Sequence, residues 1–141
     1  MSDLKFQKLE LEHIPLIRPY FLRQERRMCD CTIGSTMMWR DYFDNCFAIV
    51  NDTLMFRSRY LDGQYAFTMP IGADPDGMLD LAEEYCREQG IRLEFCTVAP
   101  DDLERLKKRW PALTAEGSRD WYDYLYESRD MVEFAGKKYA N

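Results

Sequence analysis

Tyrosines with the spacing of one strand face stand near the end of the chain, and two adjacent lysines follow them. The tyrosines are Tyr122, Tyr124 and Tyr126, and the residues that alternate with them are Trp121, Asp123 and Leu125. Bulky residues on both sides of this alternation predict a strand within a sheet. The ammonium groups of Lys137 and Lys138 have the chemistry to hold a phosphate or a carboxylate. Two interpretations stay open: the tyrosines only cover a sheet face, or the tyrosines and lysines together line a substrate site.

The single histidine and the cysteines give little support for nucleophilic catalysis or for a metal site. The cysteines are Cys29, Cys31, Cys46, Cys86 and Cys96. One residue separates the first two, which is not the usual zinc spacing, and His13 is far from them in the sequence. His13 stands where a helix is predicted to begin, so it is a poor candidate for the base of a Cys–His or Ser–His pair. We expect reduced, mostly buried thiols, a surface histidine and no metal site.

Paired carboxylates occur at two places, but neither pair predicts an acid–base centre. Glu83-Glu84 and Asp101-Asp102 lie in predicted helices. Neighbouring side chains in a helix point apart, so a solvated face or a helix start explains both pairs. The catalytic residues are therefore left unassigned.

The composition predicts one globular domain. Of the 141 residues, 46% are hydrophobic and 14% aromatic, and the formal net charge is −6. An acidic chain lacks the strongly basic surface through which proteins bind the phosphates of nucleic acid, so the composition gives no strong indication of a nucleic-acid partner. No apolar run approaches the roughly 20 residues that span a bilayer, and residues 1–5 show no secretory signal. We therefore expect a cytoplasmic protein without a transmembrane segment.

The spacing of apolar residues predicts the order of the helices and strands that position these residues. Apolar and polar alternation predicts a first strand at 4–9, a three-strand meander at 46–69 with turns at 51–52 and 62–63, a strand at 91–98 and final strands at 113–127. Helical spacing predicts helices near 14–21, after the cap Thr32, from Pro75 behind the cap Asp74 to Gly90, from Asp101 to Pro111, and at 128–135. The expected fold is α+β, with a mixed and mostly antiparallel sheet flanked by helices.

The order of these elements is similar to that of the GNAT (acyl-CoA N-acyltransferase) fold. The run from Tyr122 to Tyr126, the short helix after it and Gly136-Lys137-Lys138-Tyr139 resemble the characteristic segment of one bacterial family. Trp39 and the run Met69-Pro70-Ile71-Gly72 fit the same pattern. The chain therefore resembles bacterial proteins related to the C-terminal, catalytic domain of phosphatidylglycerol lysyltransferase.

The resemblance implies a larger transferase. Members of the family are similar to two GNAT folds in tandem, so residues 1–141 would form a single GNAT-like domain, the first of two, with the second as its partner. The implied reaction transfers an acyl or aminoacyl group from a thioester or a charged tRNA to an amine or a hydroxyl. Acyl-CoA or aminoacyl-tRNA is the implied donor of the complete protein, and the terminal tyrosines and lysines would line the joint between its halves.

The loop expected to bind coenzyme A argues against cofactor binding in this half. In the GNAT fold, a basic and glycine-rich loop offers backbone N–H groups at a helix start to the pyrophosphate. Residues 70–77 lack that pattern, because Asp74 would cap the helix, Pro75 removes a donor and Asp76 adds negative charge. We expect no cofactor in this half, and a role in positioning substrate or supporting the second half.

Two rival functions stay open. The first is a small stand-alone GNAT acetyltransferase that uses acetyl-CoA, although residues 101–111 lack the tyrosine acid that some acyltransferases carry. The second is a non-enzymatic binding or dimerisation module, which would form a homodimer through an exposed sheet edge or aromatic surface. Thioester retained through purification would favour the first function, and a dimer in size-exclusion chromatography would favour the second.

Overall fold

An antiparallel sheet organises the chain in the computed structural model, which describes residues 4–60 and 62–134. The strands are β1 (Gln7–Lys8), β2 (Cys46–Val50), β3 (Thr53–Arg59), β4 (Tyr65–Phe67) and β5 (Ile71–Gly72), in the order β1-β2-β3-β4. β4 and β5 pair with different ends of β3, so β3 contacts three other strands. The three-strand meander predicted from the sequence is confirmed as β2, β3 and β4.

The helices are α1 (Ile14–Leu22), α2 (Ile33–Met38), α3 (Pro75–Gln89), α4 (Pro100–Arg109) and α5 (Ser128–Glu133). Of these, α1 and α3 pack on opposite faces of the sheet. Successive residues of β3 are buried on opposite sides: Leu54 packs in a cluster with Ile17 of α1, and Met55 in a cluster with Leu79 of α3. The expected α+β class is confirmed, and the architecture is consistent with a GNAT-like fold. Within residues 4–60 and 62–134, no helix has the length and apolar character needed to cross a membrane.

Two helix boundaries with local sequence signals are where the sequence predicts them. The Thr32 hydroxyl accepts a hydrogen bond from the Ser35 N–H (3.2 Å) and begins α2. Gly90 follows α3 with a left-handed φ of 64°, as expected for a glycine that ends a helix. Pro19 lies inside α1 without breaking it.

The predicted strand at 91–98 is reduced to one parallel bridge, between Phe67 of β4 and Phe95. The Phe67 N–H donates to the carbonyl of Glu94 (2.8 Å), and the Cys96 N–H donates to the carbonyl of Phe67 (3.0 Å). Thr97 has a left-handed φ of 51°, which ends the extended run at once. This parallel bridge gives the sheet the mixed character that was expected. The paired stretch is too short to count as a strand.

The prediction of final strands at 113–127 is wrong. This range contains a 3-10 turn, Arg119–Trp121, and otherwise neither helix nor strand. Alternating bulky residues form a strand only when a neighbouring strand accepts their backbone groups, and no described strand pairs with this range. The predicted helix at 128–135 is present as α5, and its N-cap is Glu127. Its predicted end at Gly136 lies outside the described residues.

Two segments meet closely beside the start of α3, and we call this contact of residues 51–53 with residues 72–74 the turn junction. Asn51 and Asp52 have left-handed φ values of 47° and 50°, as expected for a two-residue hairpin turn. The Ala73 N–H donates to the Asp52 carbonyl (3.0 Å), and the Asp74 N–H donates to the buried Thr53 hydroxyl (2.8 Å). These bonds fix where α3 begins.

The same turn also anchors α1. The Tyr20 hydroxyl donates to Oδ1 of Asp52 (3.0 Å), and Nη1 of Arg23 lies 2.7 Å from Oδ2. The hydrogen bonds from Arg23 and then Tyr20 hold the pKa of Asp52 below its usual value. The carboxylate is therefore charged at neutral pH and joins the helix to the hairpin.

We predict that Gly72→Ala destabilises the fold strongly. A Cβ at this position would lie 2.1 Å from the Asp52 carbonyl oxygen, at a φ of 153° that other residues rarely adopt. The free energy of unfolding, measured by urea denaturation, should fall by more than about 2 kcal/mol.

Gly34→Ala is the matched control for this change. Gly34 lies in α2, and no atom lies within 4 Å of the place that a methyl group would take there. Alanine should therefore raise the stability by up to about 1 kcal/mol through helix propensity. Equal stabilities for the two variants would contradict the close contact at the turn junction.

Candidate functional site

The start of α3 is occupied by the protein's own carboxylate. Oδ1 of Asp74 accepts the Gly77 N–H at 3.0 Å, as predicted for an N-cap. Pro75 has no N–H to offer. A Cβ at position 77 would lie 2.2 Å from Oδ2 of Asp74, so only a glycine there leaves room for the carboxylate. An incoming phosphate would have to displace this cap before it reached the amides.

A second carboxylate lies in the same helical turn and is tied to the neighbouring helix. Oδ1 of Asp76 lies 2.7 Å from Nη2 of Arg105 in α4. Further along α3, Arg109 of α4 pairs with Asp80 and approaches Glu83 at 4.0 Å. Arg105 and Arg109 of α4 are therefore engaged by α3, and Asp74 and Asp76 place two carboxylates at the helix start, where an anion would otherwise bind.

A groove of about 260 Å³ lies where the terminal segment, residues 119–134, passes the loop between α1 and α2. We call it the terminal groove, and it is lined by Arg26, Arg27, Met28, Cys29, Thr32, Asp123, Tyr124 and Leu125. Oδ2 of Asp123 accepts the backbone N–H of Cys29 at 2.9 Å, which attaches the segment to the loop. The groove thus combines guanidinium groups, a carboxylate and an aromatic ring.

A part-buried ion pair fixes one wall of the terminal groove. Nε and Nη2 of Arg26 donate to the two carboxylate oxygens of Asp102 in α4, at 2.5 and 3.0 Å. The two side chains are only 19% and 14% exposed, and the hydrogen bond to Asp102 raises the pKa of Arg26. Arg27 is exposed and forms no ion pair within the described part of the chain. Arg26 is therefore a structural anchor, whereas Arg27 is available to a ligand.

The thiols beside the groove are unsuited to nucleophilic catalysis. A hydrogen bond to Asp123 raises the pKa of Cys29 to about 11, and burial raises that of Cys31 to about 11. Both are protonated at neutral pH, whereas a nucleophilic cysteine needs its thiolate. All the cysteines are free, as expected, but Cys29 is exposed, contrary to the expectation of burial, since only Cys46 and Cys86 are fully buried.

His13 is engaged in local structure. Its Nδ1 accepts the backbone N–H of Glu10 at 3.0 Å, and its ring packs against Phe47 with centroids 5.0 Å apart. It is part-buried, not a free surface residue. In residues 4–60 and 62–134, no three His, Cys, Asp or Glu side chains converge as metal ligands.

The predicted site residues are brought together only in part. Tyr124 lines the terminal groove, whereas the Tyr122 ring stacks with Arg119 at 5.6 Å and lies near Gly117. Tyr122 and Tyr126 are both 55% exposed. Lys137 and Lys138 lie outside the described residues. The pairing of Arg26 with Asp102 has no local signal in the sequence, because the two residues are 76 positions apart.

Comparison with known proteins identifies one family and one solved structure. The family described as phosphatidylglycerol lysyltransferase, C-terminal, matches residues 23–141. A conserved protein of unknown function from Bacteroides thetaiotaomicron VPI-5482, known from a crystal structure, superposes with a TM-score of 0.83 and 25% identity. The similarity covers 99% of this chain and 47% of that one, so the chain spans about half the length of its solved relative. No curated protein matches the chain.

We predict that Asp123→Asn makes Cys29 more reactive. Losing the carboxylate removes the main cause that raises the pKa of Cys29 to about 11, so the thiolate forms at lower pH. Alkylation of Cys29 by iodoacetamide at pH 8, followed by peptide mass mapping, should be faster by about tenfold.

Asp120→Asn is the control, because Asp120 lies in the same exposed segment without a described contact to Cys29. The rate in the native chain and in this control should keep rising with pH toward about 11. Identical pH–rate profiles for the two asparagine variants would contradict the Cys29–Asp123 contact.

Proposed function

Since the chain belongs to the family described as phosphatidylglycerol lysyltransferase, C-terminal, we propose that it is the substrate-positioning half of an acyl or aminoacyl transferase. In this proposal the chain forms the first of two GNAT-like domains. It binds no acyl-CoA itself, and the chemistry takes place in, or against, the second domain. The donor of the complete protein is acyl-CoA or aminoacyl-tRNA.

The occupied start of α3 is the observation that carries this proposal. A coenzyme A pyrophosphate needs free N–H groups and a neutral or positive surrounding at a helix start. Here Asp74 uses the Gly77 amide, and Asp76 adds a second negative charge that Arg105 holds in place. A transferase domain without this anchor is better suited to holding a substrate than to binding the donor.

The relative lengths support a second domain. The similarity covers almost all of this chain but only 47% of the solved relative, which leaves room in that relative for a further unit of similar size. In a two-domain protein, the terminal segment would pass from one unit to the other. Its exposed side chains, such as Tyr124 and Leu125 at 77% and 85%, would then be covered.

The terminal groove supplies the chemistry for positioning. Arg27 is an exposed guanidinium that can form paired hydrogen bonds with a phosphate or a carboxylate. Tyr124 offers a ring face and a hydroxyl beside it. We propose that Tyr122, Tyr124, Tyr126, Lys137 and Lys138 contribute to binding an anionic part of donor or acceptor.

A dimerisation module is a second candidate, favoured by the apolar surface of the terminal segment. Val132 is 82% exposed and Phe134 61%, so the segment leaves large apolar side chains uncovered that a second copy could bury. This candidate predicts that the 141-residue chain elutes as a dimer in size-exclusion chromatography. It also predicts that Leu125→Asp combined with Val132→Asp gives a monomer. A native chain that is monomeric at high concentration would contradict this candidate.

We predict that the chain gives no saturable heat with acetyl-CoA in isothermal titration calorimetry. Asp76→Arg should improve any residual affinity by about tenfold. The carboxylate that repels the phosphates is then replaced by a cation that attracts them. Tight binding by the native chain that Asp76→Arg abolishes would contradict the proposal.

Asp80→Arg is the matched control for this reversal. Asp80 lies one turn further along α3 and pairs with Arg109, away from the helix start. The Asp80→Arg substitution changes the net charge by the same amount, but it leaves the charges in the first turn of α3 as they are. An equal gain for both variants would show a general charge effect, not a local one.

A further inference from the structure

A second cavity shares no lining residue with the terminal groove and includes one residue of the terminal segment, Trp121. It measures about 350 Å³ and is lined by Tyr42, Phe43, Tyr60, Asp62 and Trp121. We call it the aromatic pocket. Its walls come from the loop after α2, the hairpin between β3 and β4, and the 3-10 turn Arg119–Trp121. Four of its five lining residues are aromatic, and the fifth is a carboxylate.

The aromatic rings of this pocket support one another. The Tyr42 and Phe43 rings meet edge to face, with centroids 4.8 Å apart and planes at 86°. Phe43 also packs against Tyr60 at 5.4 Å. The backbone holds the same arrangement, because the Arg59 N–H donates to the Phe43 carbonyl at 2.7 Å. The pocket wall is therefore built before any ligand arrives.

The orientation of the rings favours a rounded ligand over a flat one. Trp39 stands edge to face behind Tyr42, with planes at 71°, and Tyr42 stands at 86° to Phe43. Such rings form a corner and do not offer the parallel faces between which a planar base or ring would stack. Ring faces that meet in a corner suit a compact organic cation, because the face of each ring is the negative part of its quadrupole.

The charge around the pocket is negative. Oδ1 of Asp62 accepts the Gln64 N–H at 2.9 Å, which orients the carboxylate, and Asp62 forms no ion pair with any described residue. Burial raises the pKa of Tyr60, the neighbouring Cys96 raises it further, and the charges of Asp30 and Glu94 add to the effect, so its hydroxyl stays neutral. An anion would be repelled here, whereas a cation would find an uncompensated carboxylate.

Two arginines next to pocket residues in the sequence have other contacts. Arg59 stacks on Tyr65 at 6.0 Å, and its Nη2 lies 3.9 Å from the place that a Cβ would take at Gly63. Arg40 pairs with Asp41 at 3.3 Å. Neither guanidinium lines the pocket.

We propose that the aromatic pocket binds an organic ammonium group, held by cation–π contacts with Tyr42, Tyr60 and Trp121 and by the carboxylate of Asp62. The ammonium is either a primary alkylammonium or a trimethylated head group, since both place a positive charge on a short alkyl chain. This site is independent of the proposed transferase role. A failure to bind ammonium compounds would leave the acetyl-CoA result unaffected.

Titration of the 141-residue chain with choline, followed by saturation-transfer NMR and calorimetry, tests this site. Saturable binding is expected, while 3,3-dimethyl-1-butanol, a neutral compound of the same shape, should bind at least about fivefold more weakly. Ethanolamine is titrated in parallel, and the tighter of the two amines shows whether the primary or the trimethylated ammonium is preferred. Equal binding of the neutral compound, or no binding of either amine, would overturn the proposal.

Variants locate the binding. Asp62→Asn and Trp121→Leu should each weaken the tighter amine by about fivefold. The controls, Asp44→Asn and Leu22→Ala, change an exposed carboxylate and an exposed apolar side chain outside the pocket and should leave the affinity unchanged. All these side chains are exposed, so the fold is retained, which circular dichroism checks. Equal losses in variants and controls would overturn the assignment to this pocket.

Discussion

The close contact between the Asp52–Thr53 backbone and Gly72 sets the geometry on which the rest of the structure depends. At the turn junction the chain has no room for a Cβ at position 72, and the Asp74 N–H is bonded to the Thr53 hydroxyl. β5 is thereby placed against β3, and α3 can begin only at Pro75. Because Asp52 also holds Tyr20, the same turn connects helices on opposite faces of the sheet.

One consequence of this geometry concerns function. With its start fixed by the junction, α3 places Asp74 over its own first amides, and α4 holds Asp76 beside them. The position that would receive a cofactor pyrophosphate in the resembling fold is therefore filled by structural contacts. Both described cavities, the terminal groove and the aromatic pocket, include residues of the terminal segment. The proposed role in positioning substrate depends on this segment.

Local signals explain which parts of the fold could be predicted from the sequence. The meander, the Thr32 and Asp74 caps and the end of α3 at Gly90 depend on residues a few positions apart, and all are confirmed. The alternation at 113–127 also looks like a strand in the local sequence. A strand needs a neighbouring strand to pair with, and no strand of the described sheet pairs with this range. Arg26 and Asp102 come together only through tertiary folding, so one wall of the terminal groove was beyond prediction.

The most direct test of the central claim, that α3 begins with its own carboxylates in place of a cofactor, is the backbone ¹⁵N–¹H NMR spectrum during titration with acetyl-CoA. The amide of Gly77 reports on the contact with Asp74, because that carboxylate accepts its hydrogen bond. We expect the Gly77 and Met78 resonances to stay in place up to millimolar ligand. A saturable shift of these two resonances would show that the pyrophosphate displaces Asp74, and would contradict the claim.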